Sequence, residues 1–105
     1  RIGAVRFADP PRLDADTRLV AARDQVSCEL DGEAVILGLA DGVYYGLDPV
    51  GARVWGLMEQ PRTVAELRDA VVAEWEVDAP TAERDLLDLL ADLADRGLAE
   101  VLPAE

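Results

Sequence analysis

Residues 26–49 read VSCELDGEAVILGLADGVYYGLDP, and this stretch decides the fold. Apolar and polar side chains alternate over residues 26–30, which is the pattern of a half-buried β-strand. Asp31-Gly32 favours a tight turn because both residue types tolerate positive φ. Two further apolar runs, at 34–39 and 43–47, predict two more strands. The stretch therefore predicts a three-stranded antiparallel sheet built from two successive hairpins.

The loop Ala40-Asp41-Gly42 sets the register of the second hairpin. A two-residue Asp-Gly turn would pair Ala40 with Val43, whereas a three-residue loop with Gly42 in the left-handed region would shift the pairing by one residue. The three-residue loop gives these pairs: Leu39 with Val43, Leu37 with Tyr45, and Val35 with Leu47. All six side chains then share one face, and the other face carries Ala34, Ile36, Gly38, Tyr44 and Gly46. Because a one-residue slip would lose the shared apolar face, the sequence predicts the three-residue loop with that face buried.

Three helices follow the strands, and each begins with a recognisable cap. Asp48-Pro49 starts the first helix, Thr63 to Glu66 forms a capping box for the second, and Asp78-Ala79-Pro80 starts the third, which stops at Gly97. The predicted inner faces are Val50, Val54, Leu57 and Met58, then Val64, Leu67, Val71 and Trp75, then Ala82, Leu86, Leu89, Leu90 and Leu93. Strands followed by three short-looped helices predict an α+β fold of winged helix-turn-helix type, with the sheet packed on the helices.

The two ends of the chain carry weaker patterns. Residues 1–24 are interpreted as an N-terminal lead-in or arm, in which Pro10-Pro11 stops any helix and residues 18–22 form a short strand or part of the arm. Residues 98–102 either add a short strand or dock on the domain. Residues 25–105 are interpreted as one domain.

Composition excludes several classes of function. The 105 residues contain 22 acidic and 10 basic residues, which gives a net charge of −12, and all ten basic residues are Arg. This charge repels nucleic acids and anionic membranes. Histidine is absent, which removes Ser-His and Cys-His catalysis and histidine-bearing metal sites. A single Cys28 forms no internal disulfide, and no run is long enough to span a membrane. The chain is predicted to be a cytoplasmic binding domain without metal or cofactor, and not an enzyme.

The third predicted helix carries an unusual acidic stripe. Asp85, Asp88, Asp92 and Asp95 follow each other at steps of three, four and three, so they line one side of the helix beside the leucine face. Carboxylates spread along a helix do not converge on one metal ion, and no second element supplies a catalytic cleft. Two interpretations stay open. The stripe is either a solvated face or a surface for an electropositive partner.

Several of these runs resemble PqqD-like proteins. The resemblance rests on DGEAVIL (31–37), GVYYGLD (42–48), VGARVW (50–55), RTVAEL (62–67) and RGL (96–98), and it extends over residues 26–102. PqqD-like proteins are precursor-peptide recognition elements, so the resemblance implies binding of a leader peptide. It implies that the leader adds as a strand to the edge of the third strand and lies against the third helix.

Within that family the chain is most similar to the leader-binding proteins of lasso-peptide pathways, with the branch that serves the PQQ pathway as an alternative. The similarity implies a transglutaminase-like leader peptidase and an asparagine-synthetase-like cyclase as partners. The expected peptide-binding residues are Val43, Tyr44, Tyr45, Gly46, Leu47, Asp85, Leu86, Asp88, Leu89 and Asp92. The apolar members would form a pocket for a leader aromatic residue or proline, and the three aspartates would meet leader Lys or Arg.

Two other classes of function fit less well. A winged-helix transcriptional regulator needs a basic third helix, yet residues 80–97 contain five acids against two Arg. A small enzyme needs a nucleophile and a base, and the sequence offers no such pair. The sequence therefore favours a non-catalytic adaptor that presents a leader peptide to a peptidase.

Overall fold

A computed structural model describes residues 13–23, 25–39 and 41–103. In these residues the chain forms six strands and three helices, in an α+β arrangement that confirms the predicted fold class. The elements in chain order are β1 (Arg18–Ala21), β2 (Gln25–Leu30), β3 (Glu33–Gly38), β4 (Tyr44–Leu47), α1 (Pro49–Leu57), β5 (Arg62–Thr63), α2 (Val64–Glu74), α3 (Ala79–Asp95) and β6 (Ala99–Leu102). None of the helices in this part of the chain is long and apolar enough to cross a membrane.

The first sheet contains β2, β3 and β4 in that order, all antiparallel. Its first turn is the predicted one: Leu30 pairs with Glu33, and the two residues between them have φ values of 54° at Asp31 and 81° at Gly32. A two-residue turn with both φ values positive matches the twist of the flanking strands. The Asp-Gly signal therefore predicts this hairpin correctly.

The predicted register of the second hairpin is wrong by one residue. Leu37 pairs with Tyr44 and Val35 with Gly46. The Gly38 N–H donates to the Val43 carbonyl at 3.0 Å, so the loop has four residues, 39–42, and not three. Gly42 does adopt the predicted left-handed conformation, with φ 71°.

The slip also reverses the predicted faces of β3. Ala34 and Ile36 are buried at 3% and 0% exposure, whereas Val35, Leu39 and Val43 are exposed. Of the six side chains predicted to be buried together, only Tyr45 and Leu47 face the interior. The inward-facing residues at the two ends of β3, Ala34 and Gly38, are small. α1 and Leu98, which follows α3, pack closely against this face of β3.

Two contacts explain why the observed register wins. A Cβ at Gly38 would lie 2.9 Å from the Asp41 carboxylate and 3.4 Å from the Leu98 side chain, so the buried face has no room for a leucine there. The longer loop also lets Asp41 accept a hydrogen bond from the Val43 N–H at 3.0 Å. Close packing and a satisfied turn amide together outweigh the burial of a larger apolar face.

The second sheet joins the two ends of the domain. β1 lies at its centre between β5 and β6, so residues 18–21 form a strand, and residues 99–102 add a strand and do not merely dock. Leu19 is fully buried in this sheet. The first part of the predicted lead-in, residues 1–12 with Pro10-Pro11, lies outside the described residues.

The three predicted caps are present. The Asp48 carboxylate accepts from the Gly51 N–H at 2.8 Å, the Thr63–Glu66 capping box is reciprocal, and Asp78 accepts from the Thr81 N–H at 3.2 Å. One apolar core joins the helices to both sheets. Its fully buried large side chains are Leu19, Ile36, Val54, Met58, Val64, Leu67, Leu90 and Leu93.

Candidate functional site

The free edge of β4 is the first part of the candidate site. β4 is the last strand of its sheet, so one edge pairs with β3 and the other is open among the described residues. Because the Gly38 N–H bonds the Val43 carbonyl, Val43 presents its backbone groups to β3. Backbone groups alternate in direction along an antiparallel strand, so those of Tyr44 and Gly46 point to the open edge. This edge can accept an added strand.

A cavity of about 520 Å³ lies between this edge and α3. Its walls come from β4, α1, the end of α2 and the first half of α3. The lining residues are Tyr45, Gly46, Leu47, Asp48, Val50, Gly51, Val54, Val71, Trp75, Val77, Ala82, Asp85, Leu86 and Leu89. Aliphatic and aromatic side chains dominate this lining, so the cavity suits an apolar side chain of a bound chain.

The structure brings six of the ten predicted site residues to this cavity: Tyr45, Gly46, Leu47, Asp85, Leu86 and Leu89. Val43 lines a small cavity of about 10 Å³ nearer the other end of β4, together with Tyr45 and Arg96. Tyr44 points to the opposite face of the sheet and is 70% exposed. Tyr44 therefore reaches the groove through its backbone and not through its ring.

Two of the predicted aspartates differ from the third in their surroundings. Asp85 and Asp88 are exposed on α3, and Asp85 lines the cavity. Asp92 is partly exposed and is paired within the protein: the Tyr45 hydroxyl donates to its Oδ2 at 2.6 Å and Arg96 Nε donates to its Oδ1 at 3.1 Å. Both carboxylate oxygens thus already accept a hydrogen bond.

This arrangement affects the pKa of both partners. Burial, and then the hydrogen bond to Asp92, raise the pKa of Tyr45 to about 12. The hydrogen bond from Tyr45, supported by Arg96, holds the pKa of Asp92 below its usual range. At neutral pH the hydroxyl therefore keeps its proton and the carboxylate stays ionised, which is the pairing that gives a strong, charge-assisted hydrogen bond.

The outer face of the first sheet is apolar and uncovered in the described residues. The strand pairs place Val26, Leu37 and Tyr44 in one row across it and Cys28, Val35 and Gly46 in the next. Its most exposed large side chains are Leu30, Tyr44, Val26 and Val35, at 71%, 70%, 56% and 43% exposure. Contiguous apolar surface on a small domain marks a surface for a partner.

Sequence reasoning missed part of the cavity wall. Val71 and Trp75 were assigned to the core, yet with Val77 they line the cavity at the end of α2. Trp75 is only partly buried. The available signal for this wall is an aromatic residue at the end of a helix, just before the next helix begins. In the sequence Arg96 stands out only as part of the RGL run, and nothing there indicates its pairing with Asp92.

The site has the features of a binding groove. Among the described residues, no group of three or more potential metal ligands lies together. Cys28 is a free, exposed thiol on the outer face of the sheet, away from the cavity. An open strand edge beside an apolar cavity instead suits an extended peptide, whose backbone pairs with the edge and whose side chains enter the cavity.

Comparison with known proteins places the chain in a family. Residues 33–99 match the family described as coenzyme PQQ synthesis protein D (PqqD), which is well over half of the chain. The chain belongs to the PqqD family. The match includes β3, β4 and all three helices, so the whole groove lies inside the part that defines the family. No curated protein matches this PqqD-family chain.

Two solved structures are similar to this PqqD-family chain. The first is described as TbiB1 in complex with the TbiA(beta) leader peptide. It has 44% sequence identity and a TM-score of 0.73, and the alignment covers 81% of this chain and 99% of that one. The second is described as lasso peptide synthetase B1 complexed with the leader peptide. It has 25% identity and a TM-score of 0.69, with 81% of this chain and 98% of that one covered.

Proposed function

We propose that this protein binds the leader segment of a ribosomally made precursor peptide and presents it to a leader peptidase in lasso-peptide maturation. The observation that carries the proposal is the open edge of β4, where the amides of Tyr44 and Gly46 face outward beside an apolar cavity of about 520 Å³. The leader adds as a strand along this edge and lies against α3.

Each part of the groove has a separate task. Backbone hydrogen bonds along β4 supply affinity and carry little sequence information. The cavity supplies specificity, because Leu86, Leu89 and Trp75 surround a space that fits an aromatic ring or a proline of the leader. Asp85, which lines the cavity, and the exposed Asp88, three residues further along α3, form an acidic rim that attracts leader Lys or Arg. Exposed ion pairs contribute only about 0–1 kcal/mol each. They therefore steer the leader to the groove and align it, while the cavity supplies most of the side-chain binding energy.

The two similar structures support a lasso-peptide role. Both are described as complexes with a leader peptide, and one of the two proteins is described as lasso peptide synthetase B1. The transglutaminase-like peptidase and the asparagine-synthetase-like cyclase are the proposed partners of this chain. A role as a peptide chaperone in the PQQ pathway is the second candidate, favoured by the family match alone.

The direct test is a titration of this protein into fluorescein-labelled TbiA(beta) leader peptide, and into the labelled leader of the precursor encoded beside its own gene. We expect fluorescence polarisation to rise to saturation for the cognate leader, with unlabelled leader as competitor. The purified protein alone should leave the precursor uncleaved, because the groove holds no nucleophile-base pair. Failure of both leaders to bind, or multiple-turnover cleavage by the protein alone, would refute the proposal.

The outer face of the first sheet is the proposed docking surface for the peptidase. It is continuous with β4, so a leader added to the edge would extend the sheet that the peptidase covers. The apolar side chains of Val26, Leu30 and Val35 match an apolar partner surface and offer nothing to a polynucleotide. Holding the leader beside the peptidase makes cleavage effectively intramolecular, which raises the local substrate concentration.

Salt provides a test of the acidic rim. We expect the association rate of a leader with Lys or Arg residues to fall several-fold between about 0.05 and 0.5 M NaCl, while its dissociation rate changes less. Stopped-flow polarisation measures both rates. In the Asp85→Ala/Asp88→Ala variant the association rate should lose most of this salt dependence. Association rates of the parent that stay flat across this range would show that the rim is merely solvated.

A further inference from the structure

A group of three side chains, separate from the open strand edge, links β4 to α3. Tyr45 and Asp92 are 47 positions apart, on opposite sides of the groove, yet their side chains meet at 2.6 Å. The Arg96 guanidinium completes the group: its Nε bonds the same carboxylate, and its carbon lies 5.0 Å from the centroid of the Tyr45 ring. Three side chains from two elements thus form one connected unit.

This unit stands in the middle of the groove. Tyr45 lines both the cavity of about 520 Å³ toward the first half of α3 and the small cavity of about 10 Å³ beside Arg96. The Tyr45 side chain therefore borders both cavities and reaches from β4 to Asp92 on α3. β4 has only four residues and pairs with another strand on one side. The Tyr45–Asp92 hydrogen bond therefore limits how far this strand can move from α3.

We propose that Tyr45, Asp92 and Arg96 form a clasp that fixes the distance between β4 and α3 and keeps the groove in the shape that accepts the leader. The proposal rests on the proposed function. It gives Asp92 a positioning role in place of a direct contact with a basic leader residue. A groove held in its bound shape loses less conformational entropy when the leader binds, so the clasp increases affinity without touching the peptide.

The clasp differs measurably from an ordinary stabilising contact. If it only stabilised the fold, breaking it would lower the melting temperature and leave binding by the folded protein unchanged. If it sets the groove, breaking it lowers the fraction of molecules that can accept the leader, and the apparent affinity falls by that fraction. The loss then appears mainly in the association rate, because the contacts in the bound complex are retained.

The test compares Tyr45→Phe, Asp92→Ala and their double variant. The probe is whichever of the two fluorescein-labelled leaders named above the parent protein binds more tightly. Phe keeps the ring over Arg96 and removes only the hydroxyl. We expect each single change to slow association roughly three- to tenfold, and the double variant to bind no more weakly than the weaker single variant, because both changes break the same unit. Asp92→Asn keeps an acceptor for the hydroxyl and should recover most of the loss.

The matched control is Asp95→Ala, which removes one negative charge from the same helix at an exposed position outside the clasp. Its association rate should stay within about twofold of the parent. Binding by Tyr45→Phe equal to the parent, or fully additive losses in the double variant, would overturn the clasp while leaving leader binding in place. A parent that binds no leader would instead refute the proposed function.

Discussion

Gly46→Pro is expected to weaken leader binding about 30-fold or more while the protein stays folded. The Gly46 N–H points to the open edge of β4, so proline removes a donor that pairs with an added strand and not one that pairs with β3. The proline ring also occupies the space where the leader backbone must approach. Because it leaves the β3–β4 ladder intact, the substitution separates strand addition from sheet stability.

The matched control is Gly46→Ala. A Cβ at Gly46 meets nothing within 4 Å, so alanine fits without displacing any neighbour and keeps the edge donor. Its leader affinity should stay within about twofold of the parent, because the Cβ lies on the outer face beside Val35 and the backbone groups at the open edge are unchanged. Fluorescence polarisation gives the affinities and thermal melting shows that both variants fold.

Tyr44→Pro provides a second, independent test of the same edge, since the Tyr44 amide also faces outward. It should weaken binding more than Tyr44→Ala, because the Tyr44 ring lies on the other face of the sheet. If folded Gly46→Pro and Tyr44→Pro variants bind the leader like the parent, the peptide does not add to β4.

Local chemistry was the part of the fold that the sequence predicted well. The caps at Asp48, Thr63 and Asp78 and the turn at Asp31-Gly32 each depend on residues within a few positions of one another. Their geometry follows from short-range hydrogen bonds and allowed φ values, so a single sequence contains the necessary information.

The register of the second hairpin could not be predicted because it depends on distant residues. The number of apolar side chains favours burial of the face with Val35 and Leu37. Which face is buried depends instead on the side chains of other elements that pack against β3. Leu98 lies 60 positions from Gly38 in the chain, and its side chain occupies the space that a larger residue would need. The slip moved the larger aliphatic side chains to the outside, where they form the apolar outer face.

In the candidate site, too, features set by nearby residues were predictable and contacts between distant residues were not. The sequence located the edge strand and the helix that flank the groove, since both follow from periodicity. It grouped Asp92 with Asp85 and Asp88 as a contact for leader Lys or Arg, because spacing along a helix does not reveal which aspartate meets a tyrosine on another element. The three-dimensional fold alone shows that Asp85 and Asp88 are exposed while Asp92 is paired within the protein.

Val26→Glu is expected to reduce leader-peptidase cleavage of the precursor roughly tenfold or more, with little change in leader binding. Val26 lies on β2, two strands away from the open edge, and is 56% exposed on the outer face. Two strand spacings separate it from β4 by roughly 10 Å, so the new carboxylate does not reach the leader's strand. It does place an unpaired charge within the proposed apolar interface with the peptidase.

The control is Val72→Glu, the same substitution at a 37% exposed position on α2, outside the outer face. Both variants carry the same net charge, so any difference between them comes from location and not from general repulsion. Leader affinity is measured by polarisation, and cleavage is measured with the purified peptidase at limiting adaptor concentration. If Val26→Glu supports cleavage as well as Val72→Glu does, the peptidase does not dock on the outer face. A loss of leader affinity equal to the loss of cleavage would likewise contradict separate surfaces, because presentation and capture would then depend on the same residues.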